Sequence, residues 1–333
     1  NVKHTWIILL FIYSGIASLI PVWILLQPRD YINSHQLIVG LSLIFLSIFL
    51  IQPKIIAPVI TNLDKGPPII PFLFVTIACG AISGFHGLVS SGTTSKQVNK
   101  MEDARMIGYG ATLGEGSLAL AATIAAIAGL SFVNMQNEIC LPWACDFNNA
   151  KAGALNVFIN GSSGLLQQIG LPQGLATTLI VVLVVSFAAT TLDSATRIQR
   201  YIITEFGSAT KLKVFENKYL ATLISIIPAY FIATNNELRN ELWQTFGASN
   251  QMLAALTLMV LSIYFWKKGK NIVPLIIPMI IIMLITISAL FIKFNQSTTF
   301  LLQLINGVLI LLIIWMIIEG VMYCFKKMKL NNE

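Results

Sequence analysis

Long apolar stretches alternate with short polar ones along most of the 333 residues of the chain. A helix that spans a bilayer needs about 20 consecutive apolar residues. Nine stretches reach or nearly reach that length, at 5–26, 35–52, 68–91, 106–130, 172–196, 218–234, 243–265, 272–293 and 299–325. The pattern therefore predicts an all-α polytopic membrane protein of about nine transmembrane helices, built as one membrane domain over residues 1–333.

Composition supports a membrane protein. Hydrophobic residues make up 56% of the chain and charged residues 11%, whereas soluble domains carry about 45–50% and about 25%. The lipid bilayer is therefore an expected partner. The net charge of +7 does not indicate nucleic acid, because no basic stretch interleaved with aromatic residues occurs and the basic residues collect in loops.

The distribution of Lys and Arg predicts the orientation. Fifteen of them fall in one set of alternate loops and six in the other. Basic residues concentrate in cytoplasmic loops, so the loop at 197–217 is expected inside and the loop at 131–171 outside. The chain begins at Asn1 rather than Met, which suggests the later part of a longer protein.

The outer loop, 131–171, is long and apolar. We expect a short helical hairpin lying over the protein like a lid, around the turn "NGSSG" at 160–164; a plain surface loop is the alternative. Cys140 and Cys145 lie in this loop and could form a local disulfide in an oxidising compartment; a pair of free thiols is the alternative.

Polar residues interrupt the third apolar stretch at "SGFHGLVSSGTTSK", residues 83–96. Broken helices in membranes expose backbone amides and carbonyls that bind solutes or ions. We therefore predict an unwound segment with a substrate site at Gly84, Phe85, His86, Ser90 and Ser91. The alternative is that the small residues only allow close helix packing.

Two further features bring ionisable or polar groups into apolar surroundings. Glu115 lies between glycines in an apolar helix, and intramembrane carboxylates are commonly functional. Asn250 and Gln251 stand side by side in "FGASNQMLAAL" and are further substrate-binding candidates. His86 and Glu115 are candidates for exchanging a coupling proton.

The stretch "SFAATTLDSATRIQR" supplies candidates for a coupling or cation site: Thr190, Thr191, Asp193 and Ser194. Threonine hydroxyls are hard oxygen ligands of the kind that Na⁺ accepts, although they also commonly bond the helix backbone. For Asp193, the plain interpretation is an i,i+4 ion pair with Arg197 at the cytoplasmic end of the helix.

The chain resembles the carbon starvation protein A (CstA) family of bacterial inner-membrane transporters. The stretches that carry the resemblance are "PVWILLQPRDYINS", "TIACGAISGFHGLVSSGTTSKQ", "ARMIGYGATLGEG", "TTLDSATRIQRYI" and "LWQTFGASNQMLAAL". They extend from residue 21 to about residue 256, and the likeness is weaker after residue 270.

The resemblance implies a LeuT-like inverted-repeat fold that lacks its first helices. Residues 5–26 would be core helix four, 68–91 the broken helix six, 172–206 helix eight and 243–265 helix ten, with 266–333 as peripheral helices. It also implies uptake of pyruvate or small peptides during carbon starvation, coupled to H⁺ or Na⁺. By analogy with the helix-eight motif of sodium symporters, Na⁺ would bind at Thr190 and Thr191.

Alternatives to this function are a channel for small solutes and a transporter of other amino-acid-like substrates. An enzyme is not expected, because the three histidines, His4, His35 and His86, lie far apart and no nucleophile–base pair is evident. No cofactor is expected, and no Gly-Lys-Ser/Thr phosphate loop is found.

Overall fold

The computed structural model describes residues 2–59, 69–133, 147–297 and 300–331. Every regular element in these residues is helical. The α-helices are α1 (Val2–Leu19), α2 (Val22–Ile51), α3 (Phe74–Ala81), α4 (Gly84–Gly92), α5 (Asp103–Ile127), α6 (Phe147–Gln168), α7 (Gln173–Thr210), α8 (Lys213–Glu216), α9 (Lys218–Thr234), α10 (Asn236–Lys267), α11 (Val273–Gln296) and α12 (Phe300–Asn331). A π-helical turn at Ile69–Leu73 leads into α3, and 3₁₀ turns lie at Thr94–Lys96 and Gly129–Phe132.

Seven helical segments of the described chain are long and apolar enough to cross a membrane. They are Val22–Ile51, Ile70–Lys96, Asp103–Ile127, Gln173–Thr210, Thr245–Lys267, Val273–Gln296 and Phe300–Tyr323. Two shorter apolar helices, His4–Leu19 and Lys218–Thr234, coincide with the remaining two predicted spans.

The predicted bounds of the first two spans are wrong. The helix predicted over 5–26 ends at Leu19, and α2 begins directly after Pro21 and runs 30 residues to Ile51. Proline has a fixed φ that suits the start of a helix. The polar stretch around Arg29, between the first two predicted spans, is helical, and Arg29 forms a salt bridge with Asp193 on α7.

The chain divides into two compact units, each made from two separate stretches of sequence. Unit 1 comprises Asn1–Gly66 and Val98–Ile227, and unit 2 comprises Pro67–Gln97 and Pro228–Glu333. Each unit therefore combines residues that are far apart in the sequence.

Unit 1 is centred on α7, which packs against α1, α2, α6 and α8. Its apolar core joins four helices through Ile44, Ala121, Leu166, Ala176 and Ile180. The helix α7 is 38 residues long, about 57 Å at 1.5 Å per residue. It ends where Lys211 takes a left-handed conformation with φ of 57°.

The turn predicted at "NGSSG" is wrong, because α6 runs through it without interruption. The small residues have a packing role instead. A Cβ at Gly161 would overlap the backbone of Ala125, and one at Gly164 would crowd Gly129, so α6 crosses the end of α5 in backbone contact. The lid-like role of 131–171 stays a prediction, and Cys140 and Cys145 lie outside the described residues.

Unit 2 is built around α10, which packs against α3, α4, α11 and α12. Two layers of apolar contacts join α10 to α11 and α12. One contains Ala248, Leu290 and Ile313, and the other contains Ala255, Ile282 and Met316. The side of α10 around Asn250 packs against α3 and α4 instead.

Candidate functional site

The third membrane segment of the chain is broken, as its glycines and hydroxyls predict. Helix α3 ends at Ala81, and two residues then leave helical geometry: Ile82 has φ −133° and ψ 82°, and Ser83 has φ −91° and ψ 132°. Helix α4 starts at Gly84. The unwound residues are therefore Ile82 and Ser83, and the prediction that Gly84 to His86 are unwound is wrong, since they form the first turn of α4.

The side chain of Asn250 on α10 supplies a hydrogen-bond acceptor to the polar groups at the break. Its Oδ1 accepts hydrogen bonds from the Phe85 backbone N–H at 3.0 Å and from the Ser83 hydroxyl at 3.1 Å. The Ser83 hydroxyl also accepts from the Phe85 N–H at 3.2 Å, as a helix N-cap does. The Asn250 amide nitrogen donates to the Cys79 sulfur at 3.0 Å, which fixes the orientation of the amide.

Close backbone packing brings α4 to Asn250. A Cβ at Gly84 would overlap the Asn250 carbonyl and the Leu253 side chain, and one at Gly87 would overlap Thr257. Only glycine allows this approach. The structure therefore brings Gly84, Phe85 and Asn250 together, three residues that the sequence had placed in one predicted site.

The other predicted substrate residues lie elsewhere in unit 2. The Ser90 and Ser91 hydroxyls donate to the Gly87 carbonyl, one turn back on α4, and both residues are exposed. His86 is also exposed. Gln251 is 1% exposed, and its position on α10 lies between the two apolar layers that face α11.

A buried salt bridge lies in unit 1. Asp193 on α7 is fully buried, and its Oδ2 forms a salt bridge with the Arg29 guanidinium on α2. The predicted ion pair of Asp193 with Arg197 is wrong: the Arg197 guanidinium donates to the Ala17 carbonyl near the end of α1. A long-range partner thus replaced the local one, because α2 packs along this face of α7.

The two threonines of the predicted cation site bond their own helix. Both the Thr190 and Thr191 hydroxyls donate to the Phe187 carbonyl, at 2.8 and 2.9 Å. Their oxygens still have acceptor capacity. Ser194 is half-buried on the same helix, and Glu115 is exposed on α5. Glu115 belongs to unit 1 and His86 to unit 2.

Sequence reasoning missed two residues that the structure places at these sites. They are Arg29, which lies between the first two predicted spans, and Cys79, which lies within the third apolar stretch. A useful signal for Arg29 was present in "QPRDYINSHQ", whose polar positions 29, 33 and 36 recur at helical spacing. Among the described residues, no group of three or more His, Cys, Asp or Glu could hold a metal ion.

These features define the class of the protein. Seven helices that can cross a membrane, one of them broken around a buried amide, make it a polytopic helical membrane protein. The chain belongs to the carbon starvation protein CstA family, whose family model matches residues 2–141 and 144–289.

Curated relatives in this family are named transporters. The chain is 30% identical to a peptide transporter CstA of Helicobacter pylori over 308 residues, which cover 78% of this chain and 45% of the relative. It is 30% identical to a peptide transporter CstA of Bacillus subtilis, covering 83% and 52%. It is also 45% identical over 123 residues to the pyruvate/proton symporter BtsT of Escherichia coli, covering 34% and 17%.

The chain thus spans about half the length of the curated peptide transporters that it matches. No solved structure matches it significantly.

Proposed function

We propose that this protein is a secondary transporter of the bacterial inner membrane that imports pyruvate or small peptides, driven by a proton or sodium gradient. The observation that carries the proposal is the break at Ile82 and Ser83 inside a membrane segment, held by Asn250. Irregular backbone at membrane depth is tolerated where protein or a water-lined cavity supplies hydrogen bonds. Discontinuous helices of this kind form solute sites in transporters.

The N-terminus of α4 suits an anionic solute. Backbone N–H groups at the start of a helix attract negative charge, and pyruvate and the C-terminus of a peptide both carry a carboxylate. In this proposal, the carboxylate binds at the first turn, formed by Gly84, Phe85 and His86, where it replaces the Asn250 oxygen as the acceptor of the Phe85 N–H. The hydroxyls of Ser90 and Ser91 and the amide of Gln251 complete the proposed set of substrate residues.

The names of the relatives support this class of solute. Peptide transport is what the longer matches are named for, and pyruvate with a proton is what the shorter match is named for. For coupling, the candidates are His86 and Glu115 for a proton, and Thr190, Thr191, Asp193 and Ser194 for a coupling or cation site, with Na⁺ at the two threonines. The LeuT-like arrangement, with 131–171 as an outer lid and 266–333 as peripheral helices, is part of the same proposal.

Uptake into proteoliposomes tests the proposal. The full-length protein is reconstituted, and labelled pyruvate and a labelled dipeptide are added outside the vesicles at a fixed membrane potential. The pH and sodium gradients are then varied separately. One of the two solutes is expected to accumulate above its external concentration, and only when one of these gradients is present.

Counterflow distinguishes a carrier from a channel. Vesicles preloaded with unlabelled solute are expected to take up labelled solute faster than empty ones. The reason is that a carrier exchanges internal unlabelled solute for external labelled solute. Equal rates in loaded and empty vesicles would identify a pore instead, and an absence of uptake of both solutes would reject the proposed substrates.

A further inference from the structure

A polar seam runs along the contact of α2 with α7 in unit 1. The two helices are antiparallel: Arg29 pairs with Asp193, Gly40 meets Leu183, and Ile44 shares a core cluster with Ile180. This register places Asn33 level with Thr190 and Gln36 level with Ser186. The polar seam therefore consists of Arg29, Asn33 and Gln36 on α2 and Ser186, Thr190 and Asp193 on α7.

Several atoms of the polar seam are buried without a hydrogen bond to any described part of the protein. On α2 these are Arg29 Nε, Asn33 Nδ2 and Gln36 Oε1, and on α7 the second carboxylate oxygen of Asp193, Oδ1. Buried polar groups in proteins are normally hydrogen-bonded, often to internal water. Along α2 two donors, Arg29 Nε and Asn33 Nδ2, are followed by the acceptor Gln36 Oε1. They extend over seven residues, about 10 Å of helix, a distance that a short file of water molecules could bridge.

Asp193 is the buried carboxylate of this region, and its salt-bridge partner is Arg29. Its side chain is 0% exposed and that of Arg29 is 15% exposed, whereas Asp30, the neighbouring carboxylate, is 49% exposed. A buried carboxylate stays ionised when a cation pairs with it and favours its protonated form when that cation leaves. Separation of α2 from α7 at this level would therefore be accompanied by uptake of a proton.

We propose that Arg29 and Asp193 form the proton-coupling pair of the transporter, with the polar seam as the path of the proton. When the pair opens, a proton moves from water onto an Asp193 carboxylate oxygen; when Arg29 returns, the same proton leaves to water. No other bond forms or breaks. This inference rests on the proposed transport function and selects one of its coupling candidates.

Other charged and titratable groups also lie around Asp193. Tyr13 of α1 lies close to the Arg29 guanidinium, and Arg197 of α7 is 2% exposed and bound to the Ala17 carbonyl. Arg200, one turn further along α7, lies over the Tyr201 ring. Of the two carboxylates near Arg29, Asp30 remains in contact with solvent, whereas Asp193 is buried and loses its salt-bridge partner when the pair opens.

Asp193→Asn tests the proposal in proteoliposomes loaded with a pH gradient of one unit. Cotransport of one proton with one pyruvate anion is electroneutral, so wild type is expected to accumulate pyruvate about tenfold. The variant is expected to equilibrate pyruvate without accumulation and to retain pyruvate counterflow. An enclosed pH-sensitive dye is expected to report proton entry with pyruvate in wild type and none in the variant.

Asp30→Asn is the matched control, one residue from Arg29 and also able to contact it, and it is expected to accumulate pyruvate like wild type. If Asp193→Asn does not fold, the double variant Arg29→Gln with Asp193→Asn removes both charges together and is expected to give the same uncoupled exchange. Proton-driven accumulation by a folded variant that lacks Asp193 would overturn the inference while leaving the transport function intact. Failure of wild type to move pyruvate or dipeptide would reject the transport function itself.

Discussion

Asn250 is the residue on which the broken helix depends. Its side-chain oxygen accepts hydrogen bonds from the Phe85 backbone N–H and the Ser83 hydroxyl, and its side-chain nitrogen donates to the Cys79 sulfur. It is 3% exposed, so water does not readily replace it. A donor left unsatisfied in the hydrocarbon region costs several kcal/mol. The amide therefore stabilises a conformation that the backbone alone would not keep in a membrane.

Asn250→Leu is expected to destabilise the protein by about 1–3 kcal/mol, because the Ser83 hydroxyl and the Phe85 N–H lose their shared acceptor. Thermal unfolding in detergent measures the effect. The control is Ser249→Ala, at a half-buried neighbouring position whose hydroxyl bonds its own helix. Equal unfolding temperatures for Asn250→Leu and wild type would show that the break needs no such cap.

The salt bridge of Arg29 with Asp193 leads to a second prediction on stability. Arg29→Met alone leaves a buried carboxylate without its cation and is expected to cost about 3–5 kcal/mol, whereas the double variant with Asp193→Leu is expected to recover most of this loss. A chemical-unfolding series on the two single variants and the double variant provides the cycle. Additive losses in the double variant would contradict a direct pair.

At the scale of whole helices, glycine decides where two of the crossings lie. Gly84 and Gly87 bring α4 onto α10, and Gly161 brings α6 onto the end of α5. The same residues were ambiguous in the sequence, since a run of glycine and serine is typical of a turn and also of close helix contact. Only the packing of the neighbouring helix distinguishes these two outcomes.

Gly161→Ala is expected to destabilise unit 1 by about 1–3 kcal/mol, because its new methyl group would overlap the Ala125 backbone. Gly153→Ala, on the same helix, is the matched control: a Cβ there meets nothing within 4 Å. The control is expected to be neutral or slightly stabilising, since alanine favours helix more than glycine does. Comparable losses at the two positions would argue that helix propensity, not the crossing, matters here.

The sequence predicted the apolar segments well and their connections poorly. Hydropathy located every described membrane segment, because twenty apolar residues have few alternatives to a spanning helix. It failed at 27–36, where Pro28, Arg29 and Asp30 are typical of a loop although α2 continues through them. It also gave Asp193 the wrong partner. Local spacing identifies Arg197, whereas the true partner lies 164 residues away in sequence.

The same limit applied to the candidate site. Gly84, Phe85 and Asn250 were all predicted, and the break lies within two residues of the predicted position. The contact of the Asn250 amide with Ser83 and Cys79 was not predictable, because hydrogen-bond partners on different helices depend on the register between them.

For the molecule as a whole, orientation in the membrane follows from charge. Lys54 lies in the segment after α2, and Lys268 lies in the turn between α10 and α11, where Gly269 takes φ of 67°. The excess of Lys and Arg in one set of loops predicts that Lys268 lies in the cytoplasm and Lys54 outside.

Cysteine labelling checks this topology. With Lys54→Cys and Lys268→Cys made separately in intact cells, an impermeant maleimide is expected to modify the first and not the second. Permeabilised cells are expected to show both modified, which controls for buried thiols. Labelling of both from the outside would mean that one of the intervening helices does not span.

The partnership between Phe85 and Asn250 also constrains how the protein is made. The two residues are 165 positions apart, and ribosomes add about 5–20 residues per second. The α3–α4 segment therefore enters the bilayer roughly ten to thirty seconds before its acceptor exists. During that interval the backbone N–H groups at the break need another hydrogen-bond acceptor, such as the insertion machinery or interfacial water. Mutations that slow synthesis of α10 are thus expected to lower the yield of protein even when the finished molecule would be stable.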